Sequence, residues 1–128
     1  MTRRQTVLLW TAQIALAATF VSVAVPRLIG TPATVETFDQ IGWGQWLRYV
    51  TGAAELAGGI GLLIPRLAGA AALGLTGVMI GATITNFLVL TPAMAALTIV
   101  LGVTSAVVAA ARWPETRSLL EDLRGRLP

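Results

Sequence analysis

Four long apolar runs dominate this chain and leave it few folds. They cover residues 7–28, 47–64, 67–90 and 93–111. A helix that crosses a bilayer needs roughly 20 mostly apolar residues, and each run is near that length. The first is interrupted by Thr11, Gln13, Thr19 and Ser22 and carries Arg27 at its very end; the second carries Arg48 and Glu55; the last two hold no charge. Pro65-Arg66 and Thr91-Pro92 break the pattern between runs, because proline cannot continue the preceding helical hydrogen bonding. Connections this short force neighbouring spans to run antiparallel. The expected fold is all-α, a single membrane domain over residues 1–128 built as a four-helix up-down bundle.

Composition agrees. Only 12% of the 128 residues are charged, against roughly a quarter in soluble domains. The chain has no Cys and no His, and every cationic side chain is Arg. Thiol–disulfide exchange and the usual metal and haem ligands are therefore excluded from its own side chains. No metal and no resident cofactor are expected.

The arginines also give a direction. Arg3, Arg4, Arg66, Arg112, Arg117, Arg124 and Arg126 flank one side of the spans, and Arg27 and Arg48 the other. Basic flanks stay inside, so both termini are expected in the cytoplasm, with 112–128 as a cytoplasmic tail. Arg3-Arg4 followed by an apolar run and Ser22-Val23-Ala24 resembles a cleavable leader, but the run is long for one, and it is read as a span. The arginines sit at membrane edges without clustering, so nucleic acid is not an expected partner. The bilayer is.

Two segments lie outside the spans. Thr31 and Pro32 suit the cap and first turn of a short helix in which Val35, Phe38 and Ile41 share a face opposite Glu36, Asp39 and Gln40. This reads as an interfacial helix ending at Gly42, with Trp43 and Trp46 at headgroup depth. In the tail, Leu119, Leu120, Leu123 and Leu127 recur at helical spacing, with Arg117/Glu121 and Asp122/Arg126 as i,i+4 pairs. An amphipathic tail helix against anionic lipid is expected.

Glu55 carries the chemistry. A carboxylate near the middle of a span is costly unless paired or hydrated. Arg48, Thr51, Gly52, Gly58, Gly59 and Leu62 lie within about 60° of it on the helical wheel, a polar and glycine-rich face that must look into the bundle. Arg48 lies two turns before Glu55 and is one candidate partner; Arg27, at the end of the first run, is another. Apart from Arg27 at the outer end of the first run, Arg48 and Glu55 are the only charges within a span. With Arg27, Thr51, Thr85 and Asn86 as candidate ligand contacts, they suggest a polar cavity floored by Glu55. In the third run Ala70, Gly74, Gly77, Gly81 and Thr85 form a small-residue stripe. It is expected to pack glycine face to glycine face on the second run, or to serve contacts in a homo-oligomer.

The second run holds a specific pattern, Gly52-x-x-Glu55-Leu56-x-Gly58-x-x-Gly61-Leu62-Leu63-x-Pro65. It resembles the core motif of the DoxX-like family, as Arg27-Leu28 resembles the close of that family's first helix, and the likeness spans about residues 10–112. The resemblance implies a four-helix protein of the bacterial-type cytoplasmic (inner) membrane, in a family named for a subunit linked to thiosulfate:quinone oxidoreduction. Where many relatives carry a His near the end of the third helix, this chain has Asn86. Lacking Cys and His, it would serve a redox complex as an anchor or quinone-contacting partner. The leading expectation is an accessory protein that docks a membrane or peripheral enzyme or binds a quinone- or isoprenoid-type molecule through Arg48 and Glu55. The alternatives are a small proton-coupled exporter, or an intramembrane isomerase or cyclase with Glu55 as acid/base and Arg48 as its partner.

Overall fold

A computed structural model of the chain describes residues 2–90 and 92–126, and among them finds six helices and no strand. Thr91 of the second break and Leu127 of the tail stripe lie outside the described residues. Helix α1, Arg3–Ile29, begins at a capping box: the Thr2 hydroxyl accepts from the Gln5 amide, and the Gln5 side chain accepts from the Thr2 amide. It ends at Gly30, whose φ of 83° is open to glycine at little cost and whose amide donates to the Pro26 carbonyl. Twenty-seven residues rise roughly 40 Å, more than the hydrocarbon thickness.

Helix α2, Pro32–Ile41, is the expected short helix, with Thr31 at its N-cap position making no side-chain cap bond, closed by Gly42 and with Phe38 as its buried anchor. Helix α3, Trp46–Leu62, stops two residues before the expected end of its span, because Pro65 removes Ile64 from the helical region. Helices α4, Ala68–Leu88, and α5, Pro92–Ala111, follow, and α6, Trp113–Gly125, runs along the tail. Three helices, α1, α4 and α5, are long and apolar enough to cross a membrane. At 17 residues with two charges, α3 is shorter.

The helices pack in sequence, α1 on α3, α3 on α4, α4 on α5, with a thinner seam closing α5 back on α1. Side-chain register shows that neighbours run antiparallel. Gln13 in the first half of α1 reaches the Leu62 carbonyl at the end of α3, while Arg48 near the start of α3 reaches the carbonyl of Arg27 near the end of α1. On α4 and α5, Thr83 bonds Thr98 at 2.8 Å, and Met79 lies against Gly102. Phe20, Leu62, Leu75, Met79 and Val108 form the centre of the core. Ile14, Ile80, Phe87, Val100 and Val107 point outward and stay exposed, an apolar exterior suited to lipid rather than water.

The glycines pack differently from expectation. The α4 stripe does not meet the α3 glycines: a Cβ built at Gly74, Gly77 or Gly81 finds nothing within 4 Å. Gly52 and Gly59 of α3 instead take the close approach of α1, where a Cβ would lie 3.3 Å from the Arg27 Cβ and from the Ala17 carbonyl respectively. Gly58 and Gly61 receive Leu75 and Ala71 of α4. A small-residue pattern on one helix says that something packs closely, but not which neighbour.

Candidate functional site

The face expected to look inward does so. Arg48, Gly52, Glu55, Gly59 and Leu62 are buried along α3, and Glu55 has no exposed surface. Thr51 and Gly58, at the edges of that face, are half-buried. Because Gly52 lets α1 close on α3, the guanidinium of Arg27 forms an ion pair with Oε1 of Glu55. Of the two partners the sequence offered for the acid, the second is the one that meets it. Oε2 of Glu55 is buried with no hydrogen-bond partner.

Arg48 performs a separate task. Its Nη1 donates to the carbonyl of Arg27 and its Nε to Gln45 at 2.8 Å, so its charge sits at the carbonyl-rich end of α1, where a cation is favourable. The Tyr49 ring lies 4.3 Å from its guanidinium carbon. Gln45 ties the layer to α2, donating to the Val35 carbonyl at 3.0 Å and to Asp39 at 2.9 Å. Phe38 of α2 sits 5.9 Å from the Arg27 guanidinium and covers that side of the pair. Arg27, Arg48 and Glu55 thus form one cluster beneath α2.

The remaining candidates do not join it by hydrogen bonds. Among the described residues, no such bond links Thr51, Thr85 or Asn86 to the cluster. Asn86 is buried on α4, and the Thr85 hydroxyl donates to the Gly81 carbonyl of its own helix. Thr19 and Ser22 of α1 bond their own helix in the same way, so neither hydroxyl is turned toward the cluster. Two open grooves among the described residues are lined by other residues. One, about 390 Å³, separates α1 from α5 and is lined by Leu8, Leu9, Ala12 and Val107 among others. The other, about 370 Å³, follows the α3–α4 seam from Ala54, next in the chain to Glu55, past Ala57 and Gly58 to Gly61.

A second buried polar cluster went unnoticed in the sequence. Arg112, counted there as one more flanking cation, is buried between α5 and α6. Its Nε donates to Gln13 at 2.9 Å, and Gln13 in turn donates to the Leu62 carbonyl at 2.8 Å. Glu115 lies 3.5 Å from Nη1, and the Trp10 ring lies 5.3 Å from the guanidinium carbon. Arg48 and Glu55 are therefore not the only buried charges. The available signal was Gln13 itself, an amide within an apolar run that needed partners. On α6, Arg117 pairs with Glu121 as expected, while Asp122 pairs with Arg66 instead of Arg126.

An all-helical chain with an apolar exterior and a charged layer closed by a short helix is an integral membrane protein. The chain belongs to the DoxX-like family, whose model matches residues 11–108. No curated protein and no solved structure matches it.

Proposed function

We propose that this protein is an accessory membrane protein that holds a lipophilic small molecule of quinone or isoprenoid type, its polar end at the Arg27–Glu55–Arg48 cluster. The observation that carries this reading is Glu55, wholly buried, with one carboxylate oxygen paired to Arg27 and the other without a donor. A buried acceptor left open is costly, and a ligand hydroxyl supplies what is missing. The α3–α4 groove supports the lipophilic part. It begins at Ala54, the chain neighbour of Glu55, is lined by apolar residues and has the volume of a small-molecule site.

In this reading α3 spans the bilayer with the three longer helices, since 17 residues is the short end of the spanning range. Both termini then lie on the cytoplasmic side of a bacterial-type inner membrane, where seven of nine arginines gather.

Photocrosslinking tests the binding. A diazirine-bearing short-chain quinone or isoprenoid alcohol should label the α3–α4 groove of the purified protein, mapped by mass spectrometry. Ala57→Leu, which fills the groove, should remove the label. Labelling spread evenly over all exposed helices, unchanged by Ala57→Leu, overturns the reading.

A further inference from the structure

We infer that the polar end of the ligand held at the Arg27–Glu55–Arg48 cluster is anionic, a phosphate carried on an apolar chain; this rests on the binding reading above and narrows its ligand class. The first ground is charge. Two guanidinium groups and one carboxylate share the layer, a sum of +1, and among the described residues no other carboxylate pairs with either arginine. Glu36 and Asp39, the acids of α2, are exposed, and Asp39 faces Gln45. The end of α1 offsets part of the Arg48 charge through the Arg27 carbonyl, about half a charge at most. A net positive layer remains.

The second ground is access. Arg27 gives one Nη1 bond to Glu55, no other side-chain bond of its guanidinium is seen among the described residues, and a quarter of its side chain stays exposed to a ligand. A guanidinium suits phosphate oxygens, which it binds through paired, charge-assisted hydrogen bonds. The third ground is depth. Trp43, Trp46 and Tyr49 are exposed around the same layer, and exposed aromatic rings of this kind sit where headgroup phosphates lie. Glu55 Oε2 completes the match, as the acceptor for a P–OH or a neighbouring hydroxyl.

The test compares farnesyl monophosphate, farnesol and inorganic phosphate for their effect on thermal unfolding and tryptophan fluorescence of the full chain in uncharged detergent. Farnesyl monophosphate should bind at least about tenfold more tightly than farnesol, the gain expected of hydrogen bonds to a charged group. Arg27→Gln should abolish that preference, and Arg27→Lys should keep part of it. Equal binding of the two farnesyl compounds overturns the anionic headgroup while leaving a lipophilic site standing. Inorganic phosphate binding as tightly as farnesyl monophosphate supports the anion chemistry and identifies its source as free phosphate, against the lipophilic reading. No binding of any probe overturns both. If Arg27→Gln does not fold, the comparison of phosphate with alcohol on the unaltered chain still decides.

Discussion

Arg27 meets Glu55 across the α1–α3 seam where Gly52 has no side chain, so the ion pair depends on a glycine three residues before the acid. The two partners are unequally placed. The Arg27 side chain retains a quarter of its exposure, whereas that of Glu55 is 1% exposed and cannot reach water. Removing the cation therefore strands the more deeply buried charge.

Arg27→Gln should destabilise the protein by about 3 kcal/mol, the lower end for breaking a buried pair because one partner keeps a quarter of its side chain exposed. Glu55→Gln should cost less, since Arg27 can extend toward the interface. The double variant should recover much of the Arg27→Gln loss. Unfolding titrations in mixed detergent micelles would show the order, and equal losses for the two single variants would refute the asymmetry.

The glycines divide into two groups with opposite expected responses. At Gly69 a Cβ would lie 2.8 Å from the Arg112 carbonyl, a backbone atom, and would also strike the Thr116 hydroxyl. Gly69→Ala should displace α6 and cost about 1–3 kcal/mol as an overpacked contact. At Gly77 nothing lies within 4 Å, and alanine is the better helix former by about 1 kcal/mol. Gly77→Ala should be neutral or stabilising in the isolated chain. Thermal unfolding of the pair separates them; a destabilised Gly77→Ala would mean that another surface covers the α4 stripe.

What the sequence made legible followed from local rules. Thr31 at the N-cap position, Pro32 in the first turn and the stop at Gly42 define α2 without reference to the rest of the chain. The inward face of α3 followed from helical periodicity, because lipid leaves a charged face only one direction to turn. Choosing between Arg27 and Arg48 required the distance between two helices, which periodicity does not contain. The α4 glycines show the same limit: GxxxG spacing identifies a close-packing surface but does not name its neighbour. Arg112 was hidden for another reason. Counting flanking arginines treats all of them as solvated, and only the fold brings Gln13 beneath this one.

Gln13 links three helices, accepting from Arg112 and donating to the carbonyl of Leu62 at the end of α3. Gln13→Leu preserves volume but strands both groups, at a cost of about 1–3 kcal/mol. Arg117→Ala, which removes an exposed ion pair on α6, should cost at most about 0.5 kcal/mol. The Gln13 variant should also expose α6 to protease, because Arg112 helps hold that helix. Limited trypsin digestion followed by mass spectrometry would report it; unchanged cleavage between Arg117 and Arg126 would remove the linking role.

Whether α3 crosses the bilayer decides the topology, and the chain is well suited to the test because it contains no cysteine. Asp39 on α2 and Ser118 on α6 are both exposed and take no part in the Gln13 or Glu55 contacts. With four crossings, α2 and α6 lie on opposite sides of the membrane. In intact bacterial cells expressing the protein, a membrane-impermeant maleimide should label Asp39→Cys from outside and label Ser118→Cys only after the membrane is opened. Labelling of both from the same side would mean that α3 does not cross. The charged layer would then lie at a different depth, and the placement of its arginines among headgroup phosphates would fail with it.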